Sequence, residues 1–149
     1  MTDELASDAR HLCGLLTTLL SSTFRQILWK QALELDLTYS QAQGLFHLEQ
    51  HPGSLATDLA RAFGITLPAV TQVVDRLVGK RLVERTENPK DRRQVLLSLT
   101  RAGHRLARDL QTAQMAGMSE VLQRIPSDER KEVVRGIERL VAAARGDAP

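Results

Sequence analysis

Cysteine occurs once in this chain, at Cys13, which excludes an internal disulfide and a cysteine-ligated zinc site and fits a reducing cytoplasm. Aromatic residues are only 3% of the sequence, too few to build stacking platforms for single-stranded nucleic acid. Apolar stretches are interrupted by polar residues every few positions, so no membrane span is expected. The opening MTDELASDAR lacks the basic-then-apolar shape of a signal peptide. Also missing are a glycine-rich phosphate loop, a cluster of paired carboxylates and a Ser-His-Asp arrangement in supporting context. An enzyme is therefore not expected, and no cofactor is required.

What is present is 149 residues, 42% of them hydrophobic, enough for one domain with a real core. The formal charge of +2 hides an uneven distribution. Residues 76–108 hold ten Arg and Lys against three acidic residues, a net of +7. Residues 1–75 carry four basic and eight acidic groups, and residues 109–149 six and seven. A basic patch on a nearly neutral chain is the electrostatic footprint of a polyanion partner.

Within that patch, NPKDRRQ (residues 88–94) lies between Val83–Glu87 and a segment in which Val95, Leu97 and Leu99 alternate with polar or outward positions. Period-two alternation predicts strands, and Asn-Pro followed by Lys-Asp is turn chemistry, so a β-hairpin is expected with Lys90, Arg92 and Arg93 near its tip. Guanidinium groups on such a tip suit phosphates and narrow minor grooves.

The rest of the chain reads as helices. Leu5, Ala9, Leu12, Leu16, Leu19, Thr23 and Ile27 recur at helical spacing and predict a first helix from about Asp3 to Glu34. Leu15, Leu20 and Leu28 widen its apolar stripe beyond the needs of one small core, which points to a second subunit. Thr38 and Gln41 form a capping box for a second helix, with Leu37 as a staple to Ala42 and His51-Pro52-Gly53 as the stop. A short third helix, about Leu55 to Phe63, buries Leu55, Leu59 and Ala60 and ends on Gly64. Thr66 caps a fourth, with Pro68 acceptable in its first turn. Thr100 caps a fifth helix running to about Ile125. Pro126-Ser127 breaks and recaps the chain before a last helix that carries Val133, Ile137, Leu140, Val141 and Ala144.

On the fourth helix Val70, Val73, Val74 and Leu77 share one face, while Pro68, Thr71, Gln72, Asp75 and Arg76 share the other. Two helices joined at a glycine, the second with a polar outer face, form a helix-turn-helix whose second member enters a major groove. Gln72 can pair bidentately with adenine, and Arg76 with guanine or phosphate. The hairpin directly after it makes the unit a winged helix.

Read together, these elements resemble MarR-type transcriptional regulators. The matching residues are Leu37-Thr38, Gln41 and Leu45; Asp58-Leu59-Ala60; Val70-Thr71, Val74-Asp75 and Leu77; Leu82-Val83 and Arg85; Pro89, Asp91, Arg92 and Arg93; and Leu99-Thr100 with Gly103. They span residues 37–103, and the flanking helices match in length and order. The resemblance implies a homodimer with interleaved terminal helices that reads a pseudo-palindromic site in double-stranded DNA. Recognition helices would occupy successive major grooves, with wing arginines in the flanking minor grooves. It implies DNA contacts at Thr66, Pro68, Ala69, Thr71, Gln72 and Arg76 on the helix and at Lys90, Asp91, Arg92 and Arg93 on the hairpin. Arg93 would be the wing contact and Asp91 its local partner. One position departs from the pattern: the family has glycine just before Leu82-Val83, where this chain has Arg81. Arginine does not adopt a left-handed cap cheaply, so a shifted helix end using Gly79 is expected.

In this family small molecules commonly control release, which implies a pocket for a small aromatic or apolar effector lined by Leu16, Trp29 and Phe46. In its peroxide-sensing branch a cysteine near the position of Cys13 is oxidised, and Tyr39 resembles one of its tyrosine partners. The other tyrosine positions are aliphatic or Trp29, so a buried Cys13 serving as a small hydrophobe is expected, with hydroperoxide sensing as the alternative. His47 and His51 are four apart with Glu49 between them, but the order is not that of the zinc proteases, and no metal is expected. The expected architecture is mainly α with a small β-hairpin wing: residues 1–36 a dimerisation helix, 37–100 a winged helix-turn-helix lobe, 101–149 dimerisation helices. The expected function is a repressor that binds DNA as a dimer; a winged-helix module that binds protein instead is the alternative.

Overall fold

The structure, a computed structural model, describes residues 3–20, 29–32 and 34–146. Helix α1 spans Asp3–Leu19, α2 Tyr39–Gln50, α3 Ala56–Phe63 and α4 Leu67–Gly79. Strands β1 (Val83–Asn88) and β2 (Asp91–Leu99) form an antiparallel hairpin, and α5 (Arg101–Gln123) and α6 (Ser127–Arg145) follow. The order of elements is the one expected. The chain divides into two compact units, Met1–Gln114 and Met115–Pro149.

In the first unit the core sits among α2, α3, α4, the hairpin and the start of α5. Leu45 and Leu48 of α2, Leu59 of α3, Val70, Val74 and Leu77 of α4, Leu97 and Leu99 of β2, and Ala107 and Leu110 of α5 are all buried. Removing one Leu or Val side chain of this kind from water contributes about 1.5–3 kcal/mol. Leu55 and Ala60 are only half-buried.

Local signals set where these elements start. Thr38 Oγ1 accepts from the Gln41 N–H and Gln41 Oε1 accepts from the Thr38 N–H, both at 3.3 Å, so the capping box is complete. Leu37 and Ala42 are both buried beside it, as a staple requires. Thr100 Oγ1 accepts from the Gly103 N–H at 3.1 Å and caps α5. Thr66 occupies the N-cap position of α4 by its backbone but its side chain makes no capping bond. At α6 the N-cap is Pro126, so Ser127 is the first helical residue and not the cap.

Helix α1 spans Asp3–Leu19 of the expected Asp3–Glu34 stretch, and residues 29–32 and Glu34 within that stretch are helical too. The expected members Thr23, Ile27 and Leu28 lie outside the described residues. None of the α1 residues is buried. Cys13 is exposed, against the expectation of a buried thiol, because the stripe that carries it meets no core among the described residues. In the second unit α6 likewise buries none of its residues and leaves Val133, Val134, Ile137 and Val141 exposed.

Candidate nucleic-acid interface

The helix-turn-helix is formed by α3, Gly64 and α4. Gly64 sits at φ 63°, ψ 31°, a left-handed conformation that glycine adopts without penalty. Its N–H and that of Ile65 both donate to the Ala60 carbonyl, closing α3. The chain then turns into α4, with Pro68 in the first turn where a missing N–H leaves nothing unsatisfied.

Burial divides α4 as the period demanded. Val70, Val74 and Leu77 face the core, while Pro68, Thr71, Gln72, Asp75 and Arg76 are exposed and Ala69 is half-buried. Thr71 Oγ1 donates to the Leu67 carbonyl at 2.9 Å, so its methyl group and lone pairs remain for a partner. Ala69, Gln72 and Arg76 share a cleft of about 400 Å³ with Thr38, Ser40, Gln41, Ile65 and Val73. The start of α2 was not among the expected site residues. The capping box located it, but only the packing of α2 against α4 brings it to this face.

The hairpin differs from the expected turn. Asn88 pairs with Asp91, so the connection is only Pro89 and Lys90, and Arg92, Arg93 and Gln94 belong to β2. Glu87 pairs with Val95, so the register jumps by three residues on β2 between these two pairs. The basic residues therefore sit on a bulge just behind the tip, and a bulge re-aims the side chains it carries. Asp91 Oδ1 accepts from the Arg93 N–H at 3.1 Å and from Arg93 Nε at 3.2 Å, pairing the two residues as expected. The Arg93 side chain is otherwise 92% exposed. Lys90 and Arg92 are exposed as well.

Arg85 of β1 bonds Asp75 on the outer face of α4, Nη2 to Oδ1 at 2.6 Å. This charge-assisted bond sets the base of the wing beside the exposed face of the helix. A second tie was not legible in the sequence. Leu97 and Ser54 form a bridge in which the Leu97 N–H donates to the Ser54 carbonyl and the Gly53 N–H to the Leu97 carbonyl, at 2.8 and 2.9 Å. Two residues between helices are too short a run to register as a strand by periodicity.

The wing's base also corrects the expectation at Arg81. Helix α4 ends at Gly79, which has an ordinary φ, and Arg81 itself takes the left-handed conformation at φ 58°. The Leu82 N–H donates to the Leu77 carbonyl and the Arg81 N–H to that of Val78, a Schellman closure with both leucines buried. Thr100 holds the strained peptide: its Oγ1 donates to the Arg81 carbonyl at 2.7 Å and its N–H to the Leu82 carbonyl at 3.0 Å. Gly103 presses on the same carbonyl, where any Cβ would collide with Leu82 O. Packing at Leu82 over-determines the turn, which is why a β-carbon is tolerated at position 81.

The remaining candidates are spread more widely. Trp29 packs edge-on to Tyr39, centroids 4.9 Å apart, and lies 5.8 Å from Phe46. Leu16 is half-buried on α1. A further cleft is lined by Tyr39, Ser40, Gln43, Ala62, Phe63 and Ile65 and contains none of Leu16, Trp29 or Phe46. The rings of His47 and His51 are 4.9 Å apart, and His47 Nε2 lies 3.4 Å from Ser54 Oγ. Burial, then the neighbouring His51, pull the His47 pKa below its ordinary value, against a smaller opposing effect of Asp58. Glu49, between the two histidines, turns away to His104 Nδ1 at 2.5 Å on α5.

Among the described residues no helix is long and apolar enough to cross a membrane. The model of the MarR family matches residues 35–94, the stretch that holds α2, α3, α4 and the wing's tip. The chain is 28% identical over 145 residues to the HTH-type transcriptional repressor MdtR of Bacillus subtilis, covering 97% of this chain and 91% of the relative. It is 33% identical over 98 residues to the multiple antibiotic resistance protein MarR of Escherichia coli, covering 64% of this chain and 67% of the relative. Its fold is similar to the crystal structure of the YusO protein from Bacillus subtilis, with a TM-score of 0.72, 26% identity, and 96% and 99% of the two chains covered. With a winged helix-turn-helix built from the residues that carry these matches, the chain belongs to the MarR family of transcriptional regulators, which are not enzymes.

Proposed function

We propose that this protein acts as a homodimeric repressor that binds a pseudo-palindromic site in double-stranded DNA. In this reading α4 enters a major groove with Gln72 and Arg76 at base edges, and Thr66, Pro68, Ala69 and Thr71 line its approach. Arg93 reaches the flanking minor groove, held by Asp91, while Lys90 and Arg92 meet phosphates. The observation that carries the reading is the Asp75–Arg85 bond, which sets an exposed polar helix face and a basic wing side by side.

The lobe of residues 37–100 would read DNA, and residues 1–36 and 101–149 would hold two copies together. The uncovered leucines of α1 and the uncovered Val133, Ile137 and Val141 of α6 support a second copy. A small apolar or aromatic effector acting near Trp29 and Phe46 would release the DNA.

Binding to a duplex selected by the protein from a random-sequence pool tests the proposal. Affinity is expected to fall steeply with salt, as it does when several phosphates are neutralised. Arg93→Ala is expected to weaken binding by about tenfold or more, and Arg76→Ala to change the preferred sequence by about 1–3 kcal/mol at one position. Salt-independent binding, or an Arg93→Ala protein that binds as well as wild type, would show instead a winged-helix module that serves a protein partner.

A further inference from the structure

The wing tip contains a closure that the DNA reading has not used. Asn88 Nδ2 donates to Gln94 Oε1 at 2.8 Å, joining the last residue of β1 to the last residue of the bulge. The other end of the same amide is also occupied, since Asn88 Oδ1 accepts from the Lys90 N–H at 3.0 Å. Both side chains are half-buried at a tip whose other residues are largely exposed. The register assigns Arg92, Arg93 and Gln94 no partner on β1, so no ladder bonds fix the course of this segment. Its shape rests on two side-chain closures: Asp91 on Arg93, and Asn88 on Gln94 across the mouth of the bulge.

We infer that Asn88 and Gln94 are positioning residues for wing recognition, which set the angle at which Arg93 enters the minor groove without touching DNA themselves. The inference rests on the reading of Arg93 as the wing contact. A guanidinium inserted into a narrow groove tolerates errors of only about half an ångström, and a three-residue bulge without ladder bonds does not hold that tolerance unaided. The Asp91 bond fixes Arg93 relative to its own turn. Beside the Asn88–Asp91 and Glu87–Val95 pairs at its two ends, the Asn88–Gln94 bond is the side-chain tie that holds the far side of that turn to β1, and through Arg85 and Asp75 to α4. The pair thereby couples the spacing of helix and wing, and with it the preference for a narrow groove at a set distance from the major-groove bases.

Gln94→Met tests this, because it removes the acceptor, keeps the side chain's length and charge, and leaves the Asn88–Lys90 turn intact. The probe is a duplex selected by the wild-type protein from a random-sequence pool. Gln94→Met is expected to weaken binding about three- to tenfold and to relax the preference at the flanking positions. The salt slope and the thermal midpoint stay as in wild type, since no phosphate contact and no core residue is touched. In an Arg93→Ala background Gln94→Met is expected to have no further effect, whereas with Arg76→Ala the two losses add. A Gln94→Met loss that persists at full size in Arg93→Ala overturns the inference, because Gln94 then acts on DNA directly. Unchanged binding by Gln94→Met, with Arg93→Ala still weakened, overturns it equally while leaving the DNA reading in place. An Arg93→Ala protein with wild-type binding overturns the DNA reading itself, and this inference with it.

Discussion

The lobe from Leu37 to Thr100 and the helices that flank it carry apolar residues at the same helical spacing, yet they dispose of them differently. Among the described residues every buried hydrophobic residue lies between Ala32 and Leu110. Helices α1 and α6 bury nothing, and Leu5, Leu12, Leu15 and Leu19 on the one and Val133, Ile137 and Val141 on the other stay exposed. A helix of 17 residues such as α1 is only a little longer than the roughly 12–15 residues below which isolated helices are marginal in water. Among the described residues these stripes meet no core, in keeping with the proposed second copy. The lobe is a finished core with a polar outer face; α1 and α6 leave their apolar residues uncovered, which supports the proposal that a second copy covers them.

The largest effect that would break this contrast comes from the unfinished half. Replacing Ile137 and Val141 with Glu is expected to convert the protein to monomers in sedimentation velocity and to weaken DNA binding more than tenfold. Buried unpaired charges are not tolerated in an apolar interface, and a single lobe loses the second half-site. The same double variant on a chain that sediments as a monomer would change neither quantity, and the contrast between lobe and helices would then need another cause.

Within the finished half, Gly103→Ala is expected to lower unfolding stability by about 1–3 kcal/mol, because its Cβ meets the Leu82 carbonyl. Chemical denaturation at constant slope reads this directly. Arg81→Gly acts at the same turn with the opposite sign. Relief of the left-handed strain exceeds the added freedom of glycine in the unfolded chain, for a gain of about 0.5 kcal/mol. A loss at Arg81→Gly would mean that the arginine side chain contributes more than its backbone strain removes.

The smallest expected effect is on pH. His47 has its pKa lowered in the folded state by burial and by His51, so the folded protein binds that proton less readily than the unfolded chain. Its contribution is present above the unfolded pKa of about 6.5 and is lost as pH falls through the lowered folded value. Stability should therefore decline as pH falls below about 6.5, and His47→Gln should flatten that decline. An identical pH profile in the variant would remove His47 from the account.

Much of this was legible in the residues, for identifiable reasons. Thr38 with Gln41, Gly64 and Thr100 are local signals, and each acts within a few residues of itself, so the helix starts and the turn of the helix-turn-helix could be read off. Leu97 and Leu99 are buried as their alternation demanded. What was not legible depends on contacts distant in sequence. Arg81 takes the left-handed turn because Thr100 and Gly103 clamp the adjacent peptide, nineteen or more residues away. The bridge at Ser54 and the Asp75–Arg85 bond exist only once α4 and the hairpin are folded together. At the tip, turn chemistry located the hairpin correctly but not its two-residue connection, because the bulge is closed by side chains and not by a standard turn. Cys13, expected to be buried, is exposed, because no core covers α1 among the described residues.

Hydroxyl-radical footprinting of the wild-type protein on its selected duplex tests the central claim most directly. Two protected tracts related by a dyad are expected, their centres about one helical turn or a multiple of it apart, each flanked by a minor-groove protection that Arg93→Ala removes. A single asymmetric tract, or flanking protections that survive Arg93→Ala, would contradict the account.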